Sequence, residues 1–198
     1  MPVIGITGGI ATGKTAFTQL LRTLLPDAEY FDADRAAREL SDDHPEVQRL
    51  IAETFGANIY SAGRLNRAAL RTIVFADPTK KRALEQILHP RIRAQWAAAA
   101  ERRRGATEIF LADIPLLYET GGESLCDRVV VVACSAAAQL RRLMARSSLK
   151  QTDAEAMIAA QMPLTKKMGL ADHVVWNNGP QAALAAQTEI FARFCREQ

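Results

Sequence analysis

Gly8-Gly9-Ile10-Ala11-Thr12-Gly13-Lys14-Thr15 fits the pattern G-x-x-x-x-G-K-[ST]. Glycines in such a loop let successive backbone N–H groups turn inward around phosphate oxygens, and a following helix N-terminus adds positive potential. The lysine, here Lys14, then reaches the β- and γ-phosphates of a nucleoside triphosphate, and the Thr15 hydroxyl sits on Mg²⁺. The nucleotide phosphates are expected on Gly9, Ile10, Ala11, Thr12, Gly13, Lys14, Thr15 and Ala16. The flanks agree with this reading. Val3-Ile4-Gly5-Ile6-Thr7 reads as a buried strand, and Phe17, Leu20, Leu21 and Leu24 recur at helical spacing until Pro26. Strand, glycine loop and helix together distinguish a phosphate loop from a glycine-rich turn that binds nothing. Lys14 is expected on a solvent-facing loop, where its replacement spares the fold.

Further polar candidates stand where other strands are predicted to end, because ligands of an open parallel sheet bind beyond the carboxyl ends of its strands. Glu29-Tyr30-Phe31 reads as a second strand ending at Asp32-Ala33-Asp34, and Glu108 to Ala112 as a third ending at Asp113. Arg128 to Ala133 is the clearest strand and apolar enough to be buried on both faces. His173 to Trp176 is the last, ending at Asn177-Asn178-Gly179. Phosphoryl transfer needs charge neutralisation, in-line positioning and a group that takes the acceptor hydroxyl's proton. Asp34 or Asp32 is placed to orient or deprotonate an alcohol, and the other to hold Mg²⁺ through water. The alternative for Asp34 is a cap on a helix beginning near Ala36. Arg142 and Arg146 share one helix face and can clamp phosphates as a lid closes, or form a solvated basic face. His89 is read as a substrate contact or a structural residue, and Trp96 as core.

The elements that must position these groups alternate between strand and helix, which predicts a parallel sheet with both faces covered. From Ala36 to Gly105 the signals are helical and no convincing strand is found. Val47, Leu50, Ile51 and Thr54 mark one helix, and Leu70, Ile73 and Val74 another capped by Asn66. A third, with Leu84, Ile87 and Leu88, follows the Asp77-Pro78 break. Pro90 is expected to open a separate long helix that Gly105 closes. A helical block of this length reads as an inserted substrate-binding subdomain. Further on, Ser135 is expected to cap one helix, and Thr152 with Glu155 to form a capping box on the next. Ala183, Ala186, Ile190 and Phe194 are expected as the buried stripe of the C-terminal helix.

Composition sets the outer limits. The 198 residues suit one domain, or a core with insertions, and 48% hydrophobic with 24% charged residues is ordinary for a globular protein. The formal charge of +3 neither requires nor excludes nucleic acid. Cys126, Cys134 and Cys195 carry neither zinc spacing nor a disulfide framework, which points to a reducing compartment. No apolar run approaches the roughly 20 residues that span a bilayer. An immediate first strand leaves no room for a signal peptide, so a cytoplasmic location is expected.

The whole chain, from about Pro2 to about Phe194, resembles the dephospho-CoA kinases. Ile6 to Thr15 is similar to that family's T-G-G-I-G-S-G-K-S, and Asp32-Ala33-Asp34-Arg35-Ala36-Ala37-Arg38 to its D-A-D-x-x-A-R. Leu88-His89-Pro90-Arg91-Ile92 resembles L-H-P-x-I, and Ile114-Pro115-Leu116-Leu117-Tyr118-Glu119 resembles V-P-L-L-F-E. Gln139 to Arg146 matches Q-L-x-R-L-x-x-R; Ala160-Gln161 and Ala171 to Gly179 resemble A-Q and A-D-x-V-I-D-N-x-G. Three positions depart from the pattern. Ala11-Thr12 stands for Gly-Ser, tolerable at Ala11 if that position needs no positive φ. Trp176 replaces an aspartate, and Ser147 to Lys150 lacks the acidic or amide residue often found there.

The resemblance implies a three-layer α/β/α P-loop kinase that moves the γ-phosphate of ATP, with Mg²⁺, to the ribose 3′-hydroxyl of dephospho-CoA. It implies a single domain, 1-198, with a nucleotide-binding core (1-35, 106-135 and 169-198), a helical acceptor-binding insertion (36-105) and a lid (136-168). Lys14, Asp34 and Arg142 become catalytic, with Arg142, Arg146 and Asn177 also contacting ATP. Asp34, His89, Pro115, Leu116, Leu117 and Glu119 become the acceptor site. Thr15 holds Mg²⁺, and Asp32 is the second candidate ligand. The implied partners are these small molecules, with no nucleic acid and no membrane; oligomeric state is left open.

Overall fold

The structure, a computed structural model, describes residues 2–103, 108–147 and 149–197. The chain runs β1 (Val3–Gly8), α1 (Lys14–Leu24), β2 (Glu29–Asp32), α2 (Ala33–Asp43), α3 (Pro45–Phe55), β3 (Tyr60–Ser61), β4 (Arg64–Leu65) and α4 (Arg67–Ala76). It continues through α5 (Pro78–Arg103), β5 (Phe110–Asp113), β6 (Arg128–Ala133), α6 (Ala136–Ser147), α7 (Gln151–Ala159), α8 (Leu164–Leu170), β7 (His173–Trp176) and α9 (Gln181–Arg196). Two compact units result, Met1–Phe31 with Ala99–Gln198, and Asp32–Ala98.

The first unit is built on a sheet of order β2-β5-β1-β6-β7. β1 pairs in parallel with β5 (Ile4 opposite Leu111) and with β6 (Ile6 opposite Val130), and β6 pairs in parallel with β7. Strand order reverses at β1, so the loop that follows it emerges at the switch point where such sheets bind ligands. All six residues of β1 are buried, as a strand flanked on both edges and both faces requires. Ile4, Ile6, Leu111, Val130, Val132 and Val175 form one core with Phe17 and Leu21 of α1 and Leu184 and Phe191 of α9. The Phe17 and Phe191 rings lie 5.7 Å apart. Each such side chain, fully buried, stabilises the fold by about 1.5–3 kcal/mol. A Cβ on Gly5 would stand 2.7 Å from Cys126 Sγ and 2.8 Å from Leu117 Cδ2, so only glycine lets these two pack onto β1.

Two expectations change here. The buried face of α9 is Leu184, Thr188, Phe191, Ala192 and Cys195, whereas Ile190 is 63% exposed. Both stripes fit a helical period; the one with Leu184 and Phe191 buries the bulkier groups, and Thr188 satisfies its hydroxyl on the Leu184 carbonyl at 2.7 Å. α7 begins at Gln151, with Lys150 as cap residue and no side-chain cap bond, so Thr152 and Glu155 lie inside the helix rather than in a capping box. Glu155 instead accepts from Gln151 Nε2 at 2.7 Å. Ser135 does cap α6, its hydroxyl accepting from the Ala138 N–H at 3.2 Å.

The second unit packs Leu40, Val47, Ile51, Ile59, Leu65, Leu70 and Ile87 into a core of its own. Asn66 caps α4 by accepting from the Ala69 N–H at 3.1 Å. The expectation of no strand is corrected by the hairpin of β3 and β4. Its turn residues, Ala62 (φ 49) and Gly63 (φ 76), both have positive φ, as a two-residue type I′ turn demands. Two residues per strand and Ala-Gly in place of Asn-Gly leave almost no signal in the sequence. The two helices expected on either side of Pro90 are one helix, α5, with Pro90 inside it. Pro90 removes a donor from the Gln86 carbonyl, but both residues are exposed and water can replace it. Asp77 starts α5 by accepting from the Thr79 N–H at 2.7 Å. The expected stop at Gly105 lies outside the described residues.

Candidate active site

The Gly8–Lys14 segment leaves the buried end of β1 and enters α1 at Lys14. Gly13 takes φ 97, and a Cβ there would lie 2.0 Å from Asn177 Nδ2, so both conformation and space demand glycine. Ala11 also has positive φ, at 60. The condition under which alanine would be unstrained at this position is therefore not met, and the left-handed conformation costs it roughly 1–2 kcal/mol.

Side chains brace this loop from several directions. The Thr12 hydroxyl donates to the Gly9 carbonyl at 2.9 Å. Gln161 Oε1 accepts from the Ile10 N–H at 2.8 Å, and Gln139 Nε2 donates to the Ile10 carbonyl at 2.9 Å. The Thr12 carbonyl accepts from Asn177 Nδ2 at 2.9 Å and from Arg142 Nη1 at 3.5 Å. Among the described residues, the N–H groups of Ala11, Gly13, Lys14, Thr15 and Ala16 donate to no protein acceptor. Five unused donors at a helix N-terminus form an anion cradle.

Lys14 does not lie on a solvent-facing loop as expected. It is the first residue of α1, and its ammonium pairs with the Asp113 carboxylate. Asp113 is buried at the end of β5, and its second oxygen accepts from the Thr18 hydroxyl at 3.0 Å. Thr15 and Ala16 are exposed beside it. Arg142 is half-buried on α6 while Arg146, one turn further along, is exposed. Asn177, expected at the nucleotide, is buried with its amide committed to the loop backbone.

The Pro115–Glu119 segment sits behind the loop. Leu117, expected at the acceptor, is corrected to a core residue: its exposure is 0% and it packs against Gly5. The Pro115 carbonyl accepts from the Thr7 hydroxyl and from Lys167 Nζ, each at 3.0 Å. Lys167 is 0% exposed and also donates to the Gly8 carbonyl at 3.2 Å and pairs with Glu119 at 2.8 Å. Glu119 further accepts from the Met162 N–H at 3.0 Å. Burial pushes the Tyr118 phenol up to about 12, helped by Asp172, Glu123 and Cys126. Sequence reasoning missed Lys167 and Gln139 as supports and gave Gln161 no role. Two adjacent lysines in a short helix, Lys166 and Lys167, carry no signal of which one turns inward.

In the second unit, Asp32 is the cap of α2, accepting from the Arg35 N–H at 3.0 Å. The helix begins at Ala33 rather than near Ala36, so the capping role considered for Asp34 belongs to Asp32. Asp34 stands exposed in the first turn. His89 is half-buried on α5; burial lowers its pKa, with Glu85 opposing and Lys81 reinforcing that shift.

A sequence profile described as dephospho-CoA kinase matches residues 2–183. A dephospho-CoA kinase from Symbiobacterium thermophilum is 42% identical over 191 residues, covering 96% of this chain and 79% of that protein. One from Anaeromyxobacter dehalogenans is 44% identical over 193 residues, covering 96% and 90%. The structure of a dephospho-CoA kinase from Campylobacter jejuni superposes with a TM-score of 0.75 at 24% identity, covering 98% of this chain and 97% of that one, which establishes a shared fold.

Proposed function

The chain belongs to the dephospho-CoA kinase family, and from that premise we propose that it transfers the γ-phosphate of ATP to the ribose 3′-hydroxyl of dephospho-CoA. Coenzyme A and ADP are the products, in the cytoplasm. The observation that carries the chemistry is the set of N–H groups unused among the described residues, those of Ala11 and of Gly13 to Ala16, with Lys14 among them. These donors hold the β- and γ-phosphates where they are needed, and Lys14 offsets the charge that builds on the transferred group. Arg142 adds a second positive charge from α6, and Arg146 and Asn177 complete the ATP side. Asp34 takes the proton of the attacking hydroxyl. His89, Pro115, Leu116 and Glu119 are the residues read as contacting the acceptor.

Mg²⁺ suits the oxygen donors present. It binds through one or two protein oxygens, substrate phosphates and water, and needs no all-protein cage. The exposed Thr15 hydroxyl and the Asp113 carboxylate supply such oxygens beside the cradle, and Asp32 is a further candidate ligand. When bound, the ion neutralises phosphate charge.

The test is ADP release by purified protein with ATP and Mg²⁺, with and without dephospho-CoA, the product checked by mass for one added phosphate. Acceptor-dependent release of ADP is expected. An Asp34→Asn variant should retain ATP binding and lose transfer; unchanged turnover would remove Asp34 from the chemistry. ATP binding without transfer to dephospho-CoA would overturn the choice of acceptor.

A further inference from the structure

We propose that Gln139 and Gln161 are positioning residues that hold the Ile10 peptide groups, keeping Ala11 in the left-handed conformation that aims its N–H at the nucleotide phosphates. The inference rests on the nucleotide role of this loop and goes beyond it.

The Ile10 carbonyl and the Ala11 N–H belong to one planar trans peptide, so they point in opposite directions. Gln139 Nε2 grips that carbonyl at 2.9 Å, which turns the Ala11 N–H away from α6. Gln161 grips the preceding peptide through the Ile10 N–H at 2.8 Å. Both planes flanking Ile10 are thereby held. Asn177 repeats the device two peptides later: by holding the Thr12 carbonyl at 2.9 Å it orients the Gly13 N–H.

Such restraint matters more in this chain than it would with glycine at position 11. Alanine at φ 60 relaxes readily toward negative φ, which would rotate its N–H out of the cradle. Strained backbone persists only where its surroundings over-determine it. Gln139, buried to 4% exposure, and Gln161 supply that determination from segments far along the chain. Both lie in residues 136–168, so the donor-ready shape of the loop depends on how that segment docks.

The test is a double-mutant cycle between Gln139→Leu and Ala11→Gly, read as ATP affinity by calorimetry without acceptor. Losing one loop-holding hydrogen bond should weaken ATP binding on the order of tenfold in the parent protein, which carries Ala11. In the Ala11→Gly background, where left-handed φ carries no penalty, the same change should cost roughly threefold or less. A purely structural role predicts a lower melting temperature in both backgrounds with ATP affinity unmoved, and that result overturns the proposal. An equal loss of affinity in both backgrounds overturns it as well. If Gln139→Leu does not fold, Gln161→Leu enters the same cycle with the same expectations. Because ATP affinity is read without an acceptor, failure here is distinct from a failure to phosphorylate dephospho-CoA.

Discussion

Lys167 offers a direct measure of how the phosphate loop is supported. Its ammonium has no exposure and meets three acceptors: the Gly8 carbonyl at 3.2 Å, the Pro115 carbonyl at 3.0 Å and Glu119 at 2.8 Å. Removing one member of a buried ion pair typically costs about 3–5 kcal/mol, because the other charge is left uncompensated. The two partners are not equivalent. Glu119 has a side chain 20% exposed and keeps the Met162 N–H, so it can turn toward water when Lys167 is lost. The Pro115 carbonyl keeps the Thr7 hydroxyl. Lys167→Met should therefore fall near the lower end, about 3 kcal/mol, while Glu119→Gln strands a wholly buried ammonium and should cost more. For a chain of this size about 3 kcal/mol corresponds to a fall of roughly 6–12 °C in melting temperature. Calorimetric or fluorescence melting of the two variants and their double mutant measures this, and the double mutant should lose less than the sum of the singles. Both single variants within 2 °C of the parent (about 1 kcal/mol or less), or Lys167→Met clearly the worse, would refute the reasoning.

Other expectations follow from the same geometry. Lys14→Ala should lower turnover on the order of 10³-fold or more. It should also lower the melting temperature, since among the described residues buried Asp113 keeps only Thr18 as a side-chain donor. Arg142→Ala should reduce kcat more than it raises the KM for dephospho-CoA, because a phosphate-clamping arginine acts mainly on the transition state; a change confined to that KM would contradict the assignment. His89, with its pKa lowered by burial, should make the fold less stable as pH drops below about 6.5. There the unfolded chain takes up a proton that the native state resists. Melting at pH 7.5 and 5.5 should show a steeper loss for the parent than for His89→Gln.

How much of the protein could be read from its chain depends on the range of the forces involved. The phosphate loop was legible because its glycines, lysine and threonine are contiguous and its strand and helix adjoin it. The apolar run at Val129–Val132 announced a doubly covered strand for the same local reason. The hairpin at Tyr60–Leu65 was not legible, since its strands are too short for a period and its turn lacks asparagine. Pro90 misled, because whether a proline ends a helix depends on whether water can reach the carbonyl it abandons. Nor could the chain tell which of two helical stripes on α9 faces the sheet, as both fit the period.

By itself, then, the sequence determined the presence of a phosphate loop, the five strands of the main sheet in their order along the chain, and the family to which the chain belongs. Each of these is carried by residues adjacent in the chain or by motifs recurring in a fixed order. Tertiary structure alone decided that Lys14 rests on Asp113, that Lys167 and not Lys166 is buried, and that Leu117 serves the core. It alone brought Gln139, Gln161 and Asn177 onto a loop more than a hundred residues away. Desolvation and hydrogen-bond satisfaction act between atoms that only the folded chain brings together, so a residue's place along the sequence carries no record of them.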